Sequence, residues 1–309
     1  MIPRFLTCAM IALILLPGFG CSSTPDFSSD KDAAVLNTIR PFGDSITYGV
    51  GFSPLAEGLL LIGDTPGGGY RGWMTWMYFA RWGVPPFSTT GLMAGASNRQ
   101  QWWPNMFINT AVHDGYPGWR NDQLIAIASL KPGRPATKTL VHAGTNDFLQ
   151  GADAGTAQSR LKALLKMLRS KNGGTTLYVA QIIPVNANKY KPLLPTSPTA
   201  ATINANINTY NKAIPGILGS YGKAVPVDMH NILTEDDDYI SDGIHPSCRG
   251  YLKMACTWVG AITGKGLPAN CNPLNPAFKE AVANVCKKEP KETRISPRDI
   301  LKAISGQKK

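Results

Sequence analysis

Three short segments of the chain hold side chains able to do covalent chemistry together. Gly43-Asp44-Ser45 offers a hydroxyl, Gly144-Thr145-Asn146-Asp147 an amide, and Asp242-Gly243-Ile244-His245 a carboxylate three residues ahead of an imidazole. A serine hydroxyl is a weak nucleophile until a base takes its proton, and histidine is the side chain whose pKa suits that task near neutrality. An aspartate bonded to the far ring nitrogen fixes the tautomer and stabilises the imidazolium. The negative oxygen that forms on an attacked acyl carbon needs preorganised donors, which backbone N–H groups and an Asn amide supply. Ser45, Asp242 and His245 are therefore catalytic candidates for acyl transfer, with Asn146 as an oxyanion donor. Each segment alone is a weak signal. A Gly-Asp-Ser triplet arises by chance in roughly one such chain in ten, and Asp-x-x-His equally describes a capping aspartate near a surface histidine. All three in this order are a strong one.

Such chemistry needs an element ending beneath each segment, and the hydrophobic pattern supplies them. Residues 37–42 read as a strand running into Gly43, residues 138–143 (KTLVHA) as a buried strand running into Gly144, and residues 224–229 as a strand ahead of Asp242. A further β-branched run covers 176–183. Apolar residues at three- and four-residue spacing predict helices over 70–82, 157–170, 202–218 and 250–262. Strands alternating with helices imply an α/β fold, a parallel sheet with helices on both faces. In such a sheet the chemistry lies beyond the carboxyl ends of the strands, where all three segments fall.

Other features are set aside on physical grounds. Gly67-x-Gly69-x-x-Gly72 has the spacing of a dinucleotide fingerprint, but that motif needs an acidic residue some 20 positions on, and residues 66–113 contain none. Asp236-Asp237-Asp238 reads as a solvated acidic loop, because the glycine and spaced ligands of a calcium loop are missing. Of the histidines other than His245, His142 reads as a satisfied core residue, His230 as structural, and His113 as a neighbour of substrate. Trp73, Trp76 and Trp82 have the spacing of a core helix face. Trp102, Trp103 and Trp119 lie in loops and are the candidate surfaces for stacking on a ligand.

The 309 residues, 43% apolar and 17% charged, suit one large domain and exclude overall disorder. A net charge of +11 invites a nucleic-acid reading, yet residues 287–309 carry about half of it and no basic run occurs before them. Residues 1–20 read as an export signal, with Arg4 ahead of an apolar stretch too short to span a bilayer. Cys21 follows as a candidate lipid-attachment position, the single membrane contact expected, and 21–36 is a polar linker. Localisation is thus expected to be secreted or cell-surface. The four cysteines of the last quarter, Cys248, Cys256, Cys271 and Cys286, suggest two disulfides. A helix over 250–262 sets Cys248 and Cys256 about 12 Å apart, beyond the roughly 7 Å reach of a bond. Each should therefore pair with Cys271 or Cys286.

At this level the sequence resembles the SGNH hydrolases, the Gly-Asp-Ser-Leu (GDSL) esterase superfamily, whose blocks contribute Ser, Gly, Asn and His in that order. Ser45, Asn146 and the Asp242–His245 pair match three blocks, with Ile46 in place of the usual Leu. Asp114-Gly115-Tyr116-Pro117-Gly118-Trp119-Arg120 resembles the Gly-His-Ser-Gly-Trp segment of carbohydrate esterase family three, the acetylxylan esterase-like branch, which places the remaining block at Gly118. Tyr116, Pro117 and an insertion over 55–65 depart from that branch. The resemblance covers roughly residues 38–262 and implies a flavodoxin-like three-layer αβα sandwich with a central parallel sheet of about five strands. With the cysteine-rich end the domain is expected over residues 37–286, followed by a basic tail over 287–309. It implies an oxyanion hole of the Ser45 and Gly118 N–H groups and the Asn146 amide. Substrate contacts are expected from Asp44, Tyr116, Trp119, Trp102 and Trp103. The implied activity is a monomeric serine esterase that removes acetyl groups from carbohydrate without metal or organic cofactor. Alternatives are a lipase, phospholipase or thioesterase acting on longer chains, and a catalytically silent glycan-binding protein.

Overall fold

A computed structural model describes residues 38–51, 68–79, 82, 84–94, 112–132, 134–192 and 196–286. The leader, the linker with Cys21, the 55–65 insertion, Trp102, Trp103 and the basic tail lie outside the described residues. The sheet is built from β1 (Thr38–Gly43), β2 (Ser88–Thr89), β3 (Met93–Ala94), β4 (Val112–Gly115), β5 (Lys138–His142), β6 (Thr176–Ala180) and β7 (Ala224–Val227). Its order is β3-β4-β1-β5-β6-β7, with β2 beside the start of β1. All pairings are parallel except β3 with β4. The four strands located in the sequence, β1, β5, β6 and β7, are joined by β4 to make the body of the sheet; β3 adds to its edge beside β4, and β2 pairs with β1 off that order.

Helices cover both faces. On one lie α2 (Gly69–Phe79) and α7 (Cys248–Thr263); on the other lie α3 (Asn121–Ala128), α5 (Ala154–Lys171) and α6 (Ala200–Leu218). Two short helices, α1 (Ser45–Tyr48) and α4 (Thr145–Leu149), follow β1 and β5 directly, and α8 (Pro276–Val285) packs on α7. Adjacent strand residues point to opposite faces, so Leu140 joins the core under α2 and α7 while Val141 joins the one under α3, α5 and α6. Leu161, Leu164, Leu165 and Leu168 form the buried stripe of α5, each contributing about 1.5–3 kcal/mol by burial. That helix starts three residues earlier than its apolar pattern, because the Asp153 carboxylate caps it by accepting from Thr156 N. Helix α2 ends at Phe79, short of the expected Trp82. Trp82 instead packs edge-on against Trp76 at 5.1 Å, and Trp73 lies fully buried with its indole N–H donating to Cys248 O.

Cys248 is bonded to Cys286 and Cys256 to Cys271, with Cα separations of 5.6 and 5.7 Å. Both bridges tie the segment carrying α8 back onto α7, as the helix spacing requires.

Candidate active site

The register of the sheet levels the three loops that carry Ser45, Gly118 and Asn146. Gly43, the last residue of β1, pairs with Gly115 of β4 on one side and His142 of β5 on the other. The chain therefore leaves all three strands at one height, and Ser45, Gly118 and Asn146 follow within a few residues. Gly43 has to be glycine there: a Cβ would stand 2.0 Å from the His142 carbonyl oxygen. The β4 arm is held to β1 by a buried ion pair, Arg40 Nε to Asp114 Oδ2 at 2.6 Å, with both side chains fully enclosed. No motif marks that pair. Its one sequence signal is an arginine inside an apolar strand.

Ser45 is the first residue of α1, and Asp44 caps that helix by accepting from Ile46 N at 3.0 Å. Asp44 is fully buried, with Oδ1 in the cap and Oδ2 without a hydrogen-bond partner among the described residues. Burial pushes its carboxyl up to about 7, against the opposing pull of the Ile46 N–H and of His245.

His245 arrives from a turn pinned at both ends. Ile240 N donates to His245 O, and Asn186 N donates to Gly243 O at 2.7 Å. Ser247 then caps α7. Asp242 folds back on this turn, its Oδ1 accepting from the N–H groups of Ile244 and His245. Its Oδ2 stands 2.6 Å from His245 Nδ1, and His245 Nε2 stands 2.8 Å from Ser45 Oγ. A carboxylate only accepts, so Nδ1 carries the proton, and in the neutral ring Nε2 is left to accept from the serine hydroxyl. Burial lowers the His245 pKa, but the charge and hydrogen bond of Asp242, with Asp44 behind them, outweigh it and leave the ring above its ordinary value. Asp242 in turn stays below the usual carboxylate range: burial opposes its charge, and His245 and the two backbone donors prevail. Ser45 and His245 are each less than a tenth exposed, whereas the Asp242 side chain is 38% exposed, so the Ser45–His245 end is the one shielded from water.

Asn146 lies in α4, with one amide hydrogen directed to Trp119 O at 3.1 Å, which leaves the second free for another acceptor. Gly118 has φ of 79°, a left-handed backbone that disfavours any residue with a Cβ. The rings of Tyr116 and Trp119 face each other across this loop, with centroids 4.9 Å apart and planes 30° apart, both partly exposed.

The remaining histidines do not join the site. His113 is enclosed in β4 with Nδ1 accepting from Gly115 N and its ring edge-on to Tyr48, so it offers no surface to a substrate. Burial, with Arg71 adding to it, keeps it neutral. His142 is buried as expected, yet it is not satisfied, because neither ring nitrogen has a hydrogen-bond partner among the described residues. Burial drives it down to about 4. His230 lies within 2.9 Å of the Asn211 amide. Of the acidic triplet, Asp236 and Asp237 are exposed as a solvated loop requires, and Asp238 alone differs. Asp238 is fully buried, paired with Lys253 at 2.6 Å and accepting from the N–H groups of Thr234 and Glu235, which closes the turn below His245.

Over 277 residues the chain is 27% identical to a multidomain esterase of Ruminococcus flavefaciens, an alignment covering 84% of this chain and 32% of that protein. The chain thus spans about a third of that relative's length. Its fold is similar to a family 3 carbohydrate esterase of Clostridium thermocellum, with TM-score 0.52 and 23% identity over 74% of this chain and 96% of the other. The likeness to a carbohydrate esterase family 3 structure from Talaromyces cellulolyticus has TM-score 0.53 and 18% identity, over 74% and 97%. Residues 42–253 match the GDSL-like lipase/acylhydrolase family, and with that match across most of the chain, this protein belongs to that family of esterase-type hydrolases.

Proposed function

We propose that the chain removes short acyl groups, acetyl above all, from carbohydrate esters through a covalent intermediate on Ser45. The observation that carries this reading is the unbroken run of hydrogen bonds Asp242–His245–Ser45 at the carboxyl ends of the strands. Ser45 Oγ attacks the acyl carbon while its proton passes to His245 Nε2, and Asp242 holds the resulting imidazolium. The carbonyl oxygen becomes an oxyanion between the Ser45 and Gly118 N–H groups and the free hydrogen of the Asn146 amide. Collapse breaks the bond to the sugar oxygen, which takes the proton from His245 and leaves. Water, deprotonated by the same ring, then attacks the acyl-serine, releases the carboxylic acid and restores Ser45.

The carbohydrate part of the reading draws on the aromatic pair Tyr116 and Trp119 beside Gly118. It also draws on the likeness to family 3 carbohydrate esterases, and to an acetyl esterase structure determined with acetate ion. Acetate release from acetylated xylan, set beside hydrolysis of acetyl and octanoyl p-nitrophenyl esters, tests it. Preference for the acetyl compounds is expected, and a preference for octanoyl overturns the carbohydrate reading. Ser45→Ala and His245→Ala should each lower kcat by about a thousandfold or more in a folded protein. Activity retained in either variant overturns the assignment of the nucleophile or the base.

A further inference from the structure

The two loops that would bind the oxyanion belong to different strands, and one side chain outside every recognised motif joins them. Gln150 follows α4 as its C-terminal cap, and its backbone N–H donates to Asn146 O at 3.1 Å. Its side-chain amide crosses to the other loop, where Nε2 donates to Gly118 O at 2.8 Å. The opposite end of the same amide, Oε1, accepts from Arg120 Nη1 at 2.6 Å. Arg120 is itself braced by both oxygens of Asp122 at 3.0 and 3.1 Å. The amide can sit only one way round, because a guanidinium has nothing but donors and a carbonyl nothing but lone pairs.

We infer that Gln150 is a positioning residue for the oxyanion hole, setting the separation and orientation of the Gly118 N–H relative to the Asn146 amide. This inference rests on the reaction proposed above. Other ties also join the two loops, among them the Asn146 amide itself, which donates to Trp119 O at 3.1 Å. Asn121 N donates to Asp147 Oδ2 at 2.9 Å, and the Tyr210 hydroxyl donates to Ala143 O while accepting from the Asn121 amide. These join the start of α3 to α4 and, through Tyr210 of α6, to the residue after β5. Gln150 acts at the tips, on the carbonyls of the two residues whose donors face the reacting oxygen. The bond from Gln150 holds the Gly118–Trp119 peptide plane, which is joined to the plane carrying the Gly118 N–H through the Gly118 Cα alone. An oxyanion site depends on donor positions at the scale of tenths of an ångström, so the effect should appear in turnover and not in substrate binding.

Gln150→Glu is the diagnostic change, because the carboxylate keeps the acceptor for Arg120 but sets an oxygen against the Gly118 carbonyl. Gln150→Ala removes both bonds. Gln158→Ala is the control, since it deletes a similar side-chain bond, to Thr209 O at 3.3 Å, that runs between α5 and α6 and touches neither loop. Kinetics on p-nitrophenyl acetate, inhibition by a small alkyl boronic acid that forms a tetrahedral adduct with the serine, and thermal unfolding are measured for each. In both Gln150 variants kcat should fall about tenfold or more, KM should change less than about twofold, and boronate affinity should fall in step with kcat. Their unfolding midpoints should match Gln158→Ala, which keeps full activity. Wild-type kcat in Gln150→Glu, or a kcat loss that tracks a loss of thermal stability in both variants, overturns the inference. Loss of activity in Ser45→Ala and Asn146→Ala alongside a normal Gln150→Glu would sink this inference and leave the reaction standing. Retained activity in Ser45→Ala would remove the reaction itself.

Discussion

One residue ahead of Ser45, Asp44 carries a charge conflict that sets two measurable properties. Its carboxyl is held at about 7 by burial, against 3.8 in an open chain. Between those values the folded protein keeps a proton that the unfolded chain has released, so stability falls as pH rises through that window. The full linkage over that interval is on the order of 4 kcal/mol. Asp44→Asn retains an oxygen to cap Ile46 N but cannot ionise. Its stability relative to wild type should therefore grow from pH 4 to pH 8, as read by thermal unfolding at both ends. A constant difference across that range would refute the account. The same charge contributes to the raised pKa of His245, which must be neutral to accept the serine proton. The acid limb of kcat/KM should consequently move to lower pH in Asp44→Asn.

Elements place these residues, and the disulfides show how one of them is secured. The helix α7 begins three residues after His245, and the bridge Cys248–Cys286 closes a separation of 38 residues while Cys256–Cys271 closes 15. On the loop-entropy account, removing the first costs about 4 kcal/mol and removing the second about 3. Paired substitutions of each bridge by alanine should lower the denaturant midpoint in that order, and reductant should lower the wild type further than either. An unchanged midpoint in reductant would mean that packing alone holds α8 to α7. Elements with apolar periodicity, such as β5 or α5, are legible in the sequence because burial dictates their spacing. The strand β4 is not. Its sequence Val112-His113-Asp114-Gly115 is mostly polar, and what keeps it in the sheet is the buried Arg40–Asp114 pair, a contact across 74 positions that no local pattern announces. Helix α8 hides behind its cysteines, although Asn275 caps it and Pro276 opens it. The site follows the same division. Ser45, Asn146, Asp242 and His245 stand out through short motifs. The burial of Asp44 and the bridging role of Gln150 depend on which loops meet in space.

At the scale of the whole molecule the charge is unevenly laid out. From Ala154 to Val227 the chain has no Asp or Glu, yet it carries Arg160, Lys162, Lys166, Arg169, Lys171, Lys189, Lys191, Lys212 and Lys223. This stretch contains α5 and α6, two of the three helices covering one face of the sheet, and Lys162, Lys166, Lys171, Lys212 and Lys223 are exposed on it. Acidic residues gather near α7, in Glu235, Asp236, Asp237 and Asp238 and in Glu280 of the attached α8. A uniform net charge would repel or attract a polymer without orientation, whereas this layout favours approach of an anionic chain to the α5 side. Such attraction is screened within about 8 Å at physiological ionic strength, so under the function proposed above it would act on capture of an acidic polymer and not on the reaction itself. An acetylated xylan bearing uronic acids should therefore show a KM that rises with salt, while a neutral acetylated glucomannan and p-nitrophenyl acetate should not. Replacing Lys162 and Lys166 by glutamate should abolish most of that salt dependence at unchanged kcat on the small ester. Equal salt dependence for the acidic and neutral polymers would show that the lysine face takes no part in holding substrate.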